Sequence, residues 1–362
     1  MSVKKVLLIE PYYGGSHKRF IDGLRCSINA DFVLLSLPPR KWKMRMQLSA
    51  PWFIEQIKQL EIQQRFFDIV LFSSFIDVAV FKALVQSIHG WNNGCKYFTY
   101  FHENQFSYPG VQDKQTNHQF TAINFTTALV SDSIAFNSQF NKDSFLAQCC
   151  KYLDKAADMN FRYALRDLSK KSLILYPGLD FSIIDTGEVK GVNKPPVIIW
   201  NHRWEHDKNP EEFFQVLFEL DEDSVEFRLC VLGQSFRSKP AIFSEAANRL
   251  NHKILHMGYC QDQYNYYRLL LGGDIVVSTA LHEFFGMSVI EAVRAGCVPV
   301  LPKRLSYPEL FDDSFLYEEG GLYNCLRNVL SKQTKLSAEE AKQMTEPYSW
   351  QSLADEYHHW LN

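Results

Sequence analysis

Residues 278–310, STALHEFFGMSVIEAVRAGCVPVLPKRLSYPEL, form the segment from which the rest of the chain is interpreted. The apolar run 274–278 predicts a buried strand that ends where this segment begins, and the apolar spacing over 287–293 predicts a helix. Gly296 ends that helix, and 298–301 predicts the next strand. A strand, loop, helix and strand in this order form a βαβ unit, whose ligands bind at the carboxyl ends of the strands. The segment therefore predicts an α/β domain with a ligand site in the loop before the helix.

This loop and the start of the helix carry groups that suit a nucleotide sugar. Gly286 has no side chain, so its peptide can approach an anion closely, and the N–H groups as far as Ser288 would hold a phosphate. Glu283 lies in the loop and Glu291 inside the helix, and a rise of about 1.5 Å per residue separates them by roughly one sugar and one phosphate. Two different hydroxylated parts of a ligand are therefore the predicted partners of the two carboxylates. The alternative is a helix with an exposed acid at each end.

The string EFFGMSVIE, from Glu283 to Glu291, resembles the E-x7-E signature of retaining GT-B glycosyltransferases of family 4. The longer string 282–311 is more similar still to the tRNA-queuosine α-mannosyltransferase family. This resemblance implies an α/β protein of GT-B fold, in which two Rossmann-like domains face each other across a deep cleft. It also implies a C-terminal helix that crosses back to the first domain, and transfer of a hexose from a sugar nucleotide held mainly by the second.

Length and composition agree with a two-domain enzyme. The 362 residues are more than one hydrophobic core usually holds, and 46% of them are apolar. We expect an N-terminal acceptor domain over 1–178, followed by a linker over 179–196 that contains Lys, Gly and Pro. A nucleotide-sugar domain is then expected over 197–345, with a C-terminal helix over 346–362 that packs on the first domain.

Charge and cysteine content restrict the partners and the compartment. A net charge of −3 disagrees with a wholly basic nucleic-acid coat but allows a local basic patch. The eight cysteines form no C-x-x-C pair and are typical of reduced thiols. The apolar run at the N-terminus is too short for a signal peptide, and Asp68, Asp77 and Lys82 interrupt the longest apolar stretch. We therefore expect a cytoplasmic protein with no membrane partner, and a monomer is favoured.

Two strand ends in the first half carry glycine or polar residues. Gly14 and Gly15 follow the first predicted strand and allow a phosphate or sugar to lie over the turn, although a plain tight turn is the commoner meaning of two glycines. Four polar residues, HENQ, begin at His102 directly after the strand predicted over 96–101, and such a run costs free energy unless solvent or a ligand meets it. In the resembling family the glycine loop lines the cleft, and a histidine contacts the donor sugar and phosphate. The match of 102–109 to HENQ-x-x-YP is specific.

A basic segment follows the second predicted strand. Arg40, Lys41, Lys43 and Arg45 surround Trp42, and this interleaving suits RNA, whose phosphates meet the cations while an unpaired base stacks on the ring. A solvated loop anchored by its tryptophan is an equal alternative from the residues alone. Queuosine members of the resembling family act on a tRNA anticodon, and this favours RNA.

Arg203 and Lys208 lie in the loop after the strand predicted over 197–200, directly before a helix that begins with proline. At this place their cations can neutralise a diphosphate leaving group. An arginine and a lysine five residues apart elsewhere in a chain would not indicate a binding site. The pair resembles the Arg/Lys pair of family 4 enzymes. Gly233 and Gly258 end two further strands, which border the nucleobase in the resembling fold; both glycines equally fit ordinary turns.

Together with the resemblance, these features predict a retaining glycosyltransferase that moves mannose from GDP-mannose to the cyclopentene diol of queuosine in tRNA. No carboxylate nucleophile is evident, so the departing diphosphate is expected to help remove the acceptor's proton on the same face. No D-x-D cluster appears where the diphosphate should lie, so neither a metal nor a cofactor besides the donor is expected. The alternatives are a family 4-like hexosyltransferase with a lipid or glycan acceptor, and a non-catalytic nucleotide-sugar or tRNA-binding protein.

The predicted site residues fall into three groups. The catalytic group is His102, Arg203, Lys208 and Glu283. The nucleotide-sugar group is Gly14, Gly15, Gly233, Gly258, Phe285, Gly286, Met287, Ser288 and Glu291. The acceptor or tRNA group is Ser16, His17, Lys18, Arg40, Lys41, Trp42, Lys43, Arg45, Glu103 and Asn104.

Overall fold

A computed structural model describes residues 3–106, 114–187, 191–236 and 239–362, without the side chains of 114–117. Two pieces of the predicted features lie outside these ranges, namely 107–109 of the motif that begins at His102 and 188–190 of the linker. The chain divides into two compact units. The first is Met1–Leu179 with Trp350–Asn362, and the second is Asp180–Ser349.

The first unit alternates strands with helices. Its elements up to residue 174 are β1 (Lys5–Glu10), α1 (Gly15–Ser27), β2 (Asp31–Ser36), α2 (Trp42–Gln59), β3 (Ile69–Ser73), α3 (Val78–Val85), β4 (Lys96–Phe101), α4 (Lys114–Val130), β5 (Ser133–Phe136), α5 (Gln139–Leu153), α6 (Arg162–Lys170) and β6 (Ser172–Ile174). The strands form one parallel sheet in the order β2-β1-β3-β4-β5-β6. The order reverses between β1 and β3, and open α/β sheets bind ligands at such a switch point.

The second unit has the same plan. Its elements are α7 (Ser182–Asp185), β7 (Val197–Asn201), α8 (Pro210–Glu222), β8 (Arg228–Leu232), α9 (Ile242–Arg249), β9 (Ile254–Gly258), α10 (Gln263–Leu271), β10 (Ile275–Val277), α11 (Met287–Arg294), β11 (Val298–Pro302), α12 (Tyr307–Leu310), β12 (Leu316–Tyr317), α13 (Leu322–Lys332) and α14 (Ala338–Thr345). Its parallel sheet has the order β12-β11-β10-β7-β8-β9. The switch point lies between β7 and β10, which pair directly.

Apolar runs form the central strands because helices cover both faces of a parallel sheet. β3 has the sequence IVLFS and β7 has VIIWN, and every residue of both is buried. The sequence-based predictions of β1, β4, β7, β10 and β11 are confirmed by strands at those places.

The stretch predicted as a linker, 179–196, belongs in part to the second unit. Phe181 and Ile184 are buried. Asp185 accepts two hydrogen bonds of 2.7 Å from the guanidinium of Arg294 on α11. The first part of this stretch, as far as the end of α7, is therefore packed against the rest of the second unit.

The basic segment is only partly a loop, because Trp42, Lys43 and Arg45 lie in a helix that Arg40 and Lys41 precede. α2 begins at Trp42, and Lys41 precedes it in the left-handed region, with φ 53°. Apolar residues at helical spacing face the sheet and stabilise the helix, and they are Met46, Ala50, Phe53, Ile54 and Ile57. The cations of the first turns hid this spacing from sequence inspection. Neither α2 nor any other helix in the described ranges has the length and apolar character needed to cross a membrane.

The chain ends in a helix of the first unit, α15 (Trp350–Trp360). Its buried face packs against residues of β1, α1 and β4. The hydroxyl of Tyr357 donates to the carbonyl of Tyr176 at 2.9 Å, and the ring nitrogen of Trp360 donates to Oγ of Ser133 at 2.8 Å. Both bonds join the last helix to residues more than 150 positions earlier in the chain.

Two glycines make room for the first residue of α15. A Cβ on Gly23 of α1 would lie 1.9 Å from Nε1 of Trp350, and a Cβ on Gly178 would lie 2.2 Å from its Cδ2. Neither distance is possible without movement of the indole, so both positions exclude a side chain.

Replacement of Gly23 by alanine is expected to lower the free energy of unfolding by about 1–3 kcal/mol, because the added methyl group overpacks against Trp350. Alanine inside a helix ordinarily stabilises it by about 0.5–1 kcal/mol relative to glycine, so the sign of the change tests the contact. Urea unfolding of Gly23→Ala, Trp350→Ala and the double variant measures it. In the Trp350→Ala background the same change should be neutral or stabilising; an equal loss in both backgrounds would contradict the packing.

Candidate active site

The loops at the switch point of the second sheet carry most of the predicted catalytic residues. Residues 202–209 follow β7, and 278–286 follow β10. Each loop ends on a residue in the left-handed region, Asn209 (φ 49°) before α8 and Gly286 (φ 99°) before α11. These sharp turns bring the loops side by side at one edge of the sheet.

The side chain of Lys208 joins the two loops. Its ammonium donates to the carbonyl oxygen of His282 at 2.5 Å and to Oε2 of Glu283 at 3.2 Å. Oδ2 of Asp207 lies 3.4 Å from the same nitrogen. Lys208 is only 6% exposed, so it is a buried cation held by a carbonyl and two carboxylates. The structure thus brings two predicted catalytic residues, Lys208 and Glu283, into one ion pair.

Glu283 is ionised throughout the physiological range. Burial by itself raises the pKa of Glu283, but the charge of Lys208, with His202 and the N–H of Phe285, lowers the pKa to about 2. Oε1 accepts hydrogen bonds from the N–H groups of Phe284 and Phe285, at 3.1 and 3.3 Å. A fixed anion of this kind can hold hydroxyl groups but has no proton to donate.

Two neutral histidines lie in the same cluster. Burial first, and then the charge of Lys208, lowers the pKa of both His202 and His282 to about 4. Nε2 of His202 is buried and has no hydrogen-bond partner among the residues that the structure describes. Since both rings are uncharged at neutral pH, the positive charges of this cluster are those of Lys208 and Arg203.

Arg203 lies in the same loop but in a different environment. Its side chain is 48% exposed, and Nη1 lies 3.0 Å from Oε2 of Glu205. The charges of Arg203 and Lys208 both act on the pKa of Glu205 and on that of His282, so the two cations belong to one electrostatic cluster. The predicted pair therefore consists of one buried, fixed cation and one exposed cation.

The first turn of α11 supplies backbone donors. Met287 and Ser288 begin the helix, so their N–H groups have no partner inside it. Nδ2 of Asn201 donates to the carbonyl of Ser288 at 2.6 Å and ties this turn to β7. The ring of Phe285 is buried against Tyr348, with centroids 5.6 Å apart. The ring of Phe285 therefore belongs to the interior of the second unit, and its N–H is bonded to Glu283.

Glu291 contacts two tyrosines that sequence reasoning missed. The residue is fully buried, with Oε1 accepting from the hydroxyl of Tyr267 at 3.0 Å and Oε2 from that of Tyr266 at 3.2 Å. Nδ2 of Asn201 also lies 3.2 Å from the Tyr266 hydroxyl. The two adjacent tyrosines are plain in the sequence, but only the fold brings α10 against α11.

Gly233 and Gly258 have a structural reason to be glycine. Gly233 has φ 138°, and a Cβ there would lie 1.8 Å from the carbonyl oxygen of His202. Gly258 has φ 152°, and its carbonyl accepts the N–H of Gly233 at 3.3 Å. The ends of β8 and β9 are therefore joined close to the loop after β7. Contact of these glycines with a nucleobase stays a prediction.

In the first unit, Gly14 and Gly15 follow β1, and α1 begins at Gly15. Gly15 has φ 53° and open space where a Cβ would stand, whereas a Cβ on Gly14 would lie 2.3 Å from Cγ of Pro39. Gly14 thus permits close packing, and Gly15 permits the turn. Ser16 and Lys18 are exposed, and Lys18 is paired with a carboxylate of its own helix.

Glu10, His17 and His102 form a buried histidine cluster. Nδ1 of His17 donates to Oε2 of Glu10 at 3.0 Å, while Oε1 accepts from the N–H of Tyr12 at 2.8 Å and from the hydroxyl of Ser73 at 3.1 Å. The rings of His17 and His102 have centroids 4.1 Å apart. Burial, with a contribution from His17, lowers the pKa of His102 well below its usual range, so this ring is neutral. The sequence prediction included both histidines but missed Glu10.

The histidine cluster also has the composition of a metal site, since its candidate ligand atoms lie within 4.8 Å of one another. Its geometry favours hydrogen bonding. The centroids of the two imidazole rings lie 4.1 Å apart and the ring planes are tilted by 35°, so the rings pack against each other. The oxygens of Glu10 are also occupied by three donors.

Two predicted acceptor residues have roles within the fold. Asn104 is fully buried, and its Nδ2 donates to Oδ1 of Asn141 at 2.8 Å, so its amide supports the loop after β4. The neighbouring Glu103 is half-buried. The ring of Trp42 packs on Phe120, with centroids 5.2 Å apart, and so anchors the start of α2.

Two known families match the two units of the chain. The family described as tRNA-queuosine alpha-mannosyltransferase N-terminal matches residues 5–179, and glycosyl transferases group 1 matches residues 185–323. The tRNA-queuosine alpha-mannosyltransferase of Drosophila melanogaster is 35% identical over 344 residues, which cover 91% of this chain and 89% of the relative. The similarity thus extends through both units.

Solved structures share the fold at low sequence identity. Anabaena HepE in complex with UDP and glucose has a TM-score of 0.67 and 14% identity over 99% of each chain. Sucrose-phosphate synthase from Thermosynechococcus elongatus has a TM-score of 0.72 and 11% identity over 99% of this chain and 98% of the other. The prediction of an α/β GT-B fold is confirmed. With the family matches, the prediction of a hexosyltransferase is confirmed as well.

The free energy of unfolding is expected to fall as the pH drops from about 6.5 to about 4, because native His202 resists protonation while the unfolded chain takes up the proton. The pKa of His202 is about 4 in the folded state and about 6.5 in the unfolded chain, so the loss approaches about 1.4 kcal/mol per pH unit in that window. Denaturation curves at several pH values should show a weaker pH dependence for His202→Gln. The exposed-site control His89→Gln should keep the wild-type dependence; equal slopes in all three proteins would refute the assignment.

Proposed function

The chain belongs to the tRNA-queuosine alpha-mannosyltransferase family, and from that premise we propose that it transfers mannose from GDP-mannose to the cyclopentene diol of queuosine in tRNA. The observation that carries the proposal is the likeness to the Drosophila enzyme through both units. The catalytic cluster at the second switch point supports it, since that cluster suits the departure of a nucleoside diphosphate.

In the proposed reaction, a hydroxyl oxygen of the acceptor bonds to the anomeric carbon of mannose on the face from which the diphosphate leaves. The bond from that carbon to the phosphate oxygen breaks, and its electron pair stays with GDP. The acceptor's proton passes to the departing phosphate oxygen. Retention of configuration follows from attack and departure on one face, with no covalent sugar on the enzyme.

Stabilisation of the departing diphosphate would supply most of the rate. Exposed Arg203 would reach the phosphates directly, because its side chain is 48% exposed and its guanidinium is paired with Glu205. Lys208 would act from the protein interior, as a fixed positive charge that also holds the loops in place. The N–H groups of Met287 and Ser288 would complete the anion site. The two cations and the two N–H groups would together stabilise the diphosphate without a metal ion, so the proposed reaction is metal-independent.

Glu283 and His102 would orient the sugar. Glu283 is ionised and 19% exposed at the side chain, so its carboxylate can accept hydrogen bonds from sugar hydroxyls while Lys208 holds it. His102 is neutral and can therefore meet a sugar hydroxyl without adding a charge that would oppose an electron-poor anomeric carbon. The two residues thus have different electrostatic roles in the proposal.

Recognition of the ribose would involve Glu291 together with Tyr266. The carboxylate of Glu291 is buried, whereas Tyr266 is half-buried and shares its hydroxyl between Glu291 and Asn201. A ribose hydroxyl would meet this preorganised group. In this way Glu291 positions the tyrosine as well as accepting hydrogen bonds itself.

The proposed setting is the cytoplasm, where tRNA and sugar nucleotides are both present. All eight cysteines, which lie within the described ranges, are free thiols, and this supports a reducing compartment. The proposed acceptor contacts in the first unit include the exposed first turn of α1, at Ser16 and Lys18. A monomer is the proposed oligomeric state.

The assay that tests this function incubates the enzyme with radiolabelled GDP-mannose and with tRNA that contains or lacks queuosine. Label should enter only the queuosine-containing tRNA, and UDP-glucose or UDP-galactose should not replace the donor. Labelling of both tRNAs would refute the acceptor, and a preference for another sugar nucleotide would refute the donor. Chelation of divalent ions should leave the rate unchanged if no metal takes part.

Arg203→Gln is expected to lower turnover by about 10²-fold with little change in stability, because the side chain is exposed but faces the developing charge of the diphosphate. The matched control is Arg249→Gln, which removes another exposed, carboxylate-paired arginine of the same unit. Turnover and thermal unfolding of both variants give the comparison. Near-normal turnover in Arg203→Gln would remove this residue from the anion site. Lys208→Ala is a poorer test, since it leaves Glu283 buried without its cation and costs stability.

A further inference from the structure

The segment 151–171 is basic although the chain as a whole is acidic. It contains six lysines and arginines against three aspartates, in a protein whose net charge is −3. The segment comprises the end of α5, a 3-10 turn over Asp154–Ala156, and α6. Its charge is therefore a local feature on the surface of the first unit.

One face of α6 presents this charge to solvent. Arg162, Arg166 and Lys170 recur every fourth residue and are exposed, which places them on the same side of the helix. Ala164 and Leu168 occupy the opposite side and are buried. The helix is thus strongly amphipathic, with a line of cations facing outward.

Several of these cations have no carboxylate partner. Arg162 pairs with Asp154 at 3.1 Å. Within the described ranges, Lys155, Arg166 and Lys170 form no ion pair. Exposed cations elsewhere are often paired, as Lys58 is with Glu55 and Arg249 with two glutamates. Unpaired cations leave a positive potential that an external anion can neutralise.

The α6 face lies on the same side of the sheet as the basic start of α2. The buried residues of α2 pack with Leu7, Val70 and Phe72, whereas those of α6 pack with Phe101 and Phe136. These strand residues share one face of the sheet, because the alternate residues of the same strands pack with α1 and α15 on the other face. α4 contacts both α2 and α6 and so lies between the two basic groups.

We propose that the α6 face, formed by Arg162, Arg166 and Lys170, binds the phosphate backbone of the tRNA acceptor together with exposed Lys155 of the preceding 3-10 turn. The inference rests on the proposed function and extends the RNA contact beyond the start of α2. Two separated basic groups on one side of the first unit suit a nucleic acid, whose charges are spread along a chain of phosphates. Contacts of this kind position the RNA and carry no sequence information.

RNA suits the α6 face better than an acidic protein does. Tyr163 is 54% exposed beside the line of cations, and an exposed aromatic ring among arginines and lysines is typical of RNA-binding surfaces. The segment has three acidic residues against six basic ones, and one of the three, Asp154, is paired with Arg162. The surface thus combines charge and a stacking group.

The test measures binding of queuosine-containing tRNA over a range of salt concentrations. The triple variant Lys155→Gln/Arg166→Gln/Lys170→Gln should reduce the slope of log K against log salt by about two to three, since each phosphate contact contributes about 0.7–0.9. Its KM for tRNA should rise about tenfold or more, while kcat at saturating tRNA and transfer to free queuosine nucleoside should match the wild type.

The matched control is Arg327→Gln/Lys332→Gln/Lys342→Gln, which removes three exposed cations from α13 and α14 of the second unit. It should keep the wild-type salt slope. An unchanged slope and KM in the α6 variant would overturn the proposal, and so would an equal loss in the control. If the wild-type enzyme transferred no mannose to any tRNA, the proposed function would fail, whereas the binding slopes would still report on the α6 face.

Discussion

The candidate active site of the second unit depends on a buried positive charge, the ammonium of Lys208. An ammonium in a protein interior is costly unless hydrogen bonds and opposite charges surround it. Here the carbonyl of His282 and the carboxylates of Asp207 and Glu283 meet that requirement, and the partners come from both loops at the switch point. The loops therefore cannot move apart without exposing an unpaired charge. This constraint holds the start of α11 and the exposed Arg203 in a defined geometry before any ligand arrives.

The first unit also buries an ionisable side chain, that of Glu10, which needs hydrogen-bond partners in the interior. Glu10 is fully buried at the end of β1 and is satisfied by a backbone N–H, a serine hydroxyl and His17, with no lysine or arginine pair in the described ranges. His17 in turn packs against His102, whose neutral ring lies at the end of β4. Each sheet thus places a buried ionisable group where its strand order reverses. In the second unit this group is the ammonium of Lys208, and in the first unit it is the carboxyl group of Glu10, which holds the histidine pair.

Sequence alone gave reliable access to features encoded by neighbouring residues. Apolar runs identified the central strands, and Gly286 identified the turn between β10 and α11, because these signals are local. The contact between Lys208 and Glu283 spans 75 residues, so the residues could be named but their ion pair could not. Tyr266 and Tyr267 were missed for the same reason, since their partner Glu291 lies on another helix. α2 was missed because cations in its first turns obscured the apolar spacing of its later ones.

The distribution of paired and unpaired cations explains how an acidic chain could bind both proposed phosphate-rich ligands, the sugar nucleotide and the tRNA. Lys208 and Arg203 each have a carboxylate partner, which fixes their position but weakens the field they project. That arrangement suits a diphosphate whose charge grows during the reaction, because geometry then matters more than raw attraction. The cations of α6 lack such partners, and their field extends into solvent, where it can attract a long polyanion before contact. Net charge conceals this difference, since pairing and position decide what each cation can do.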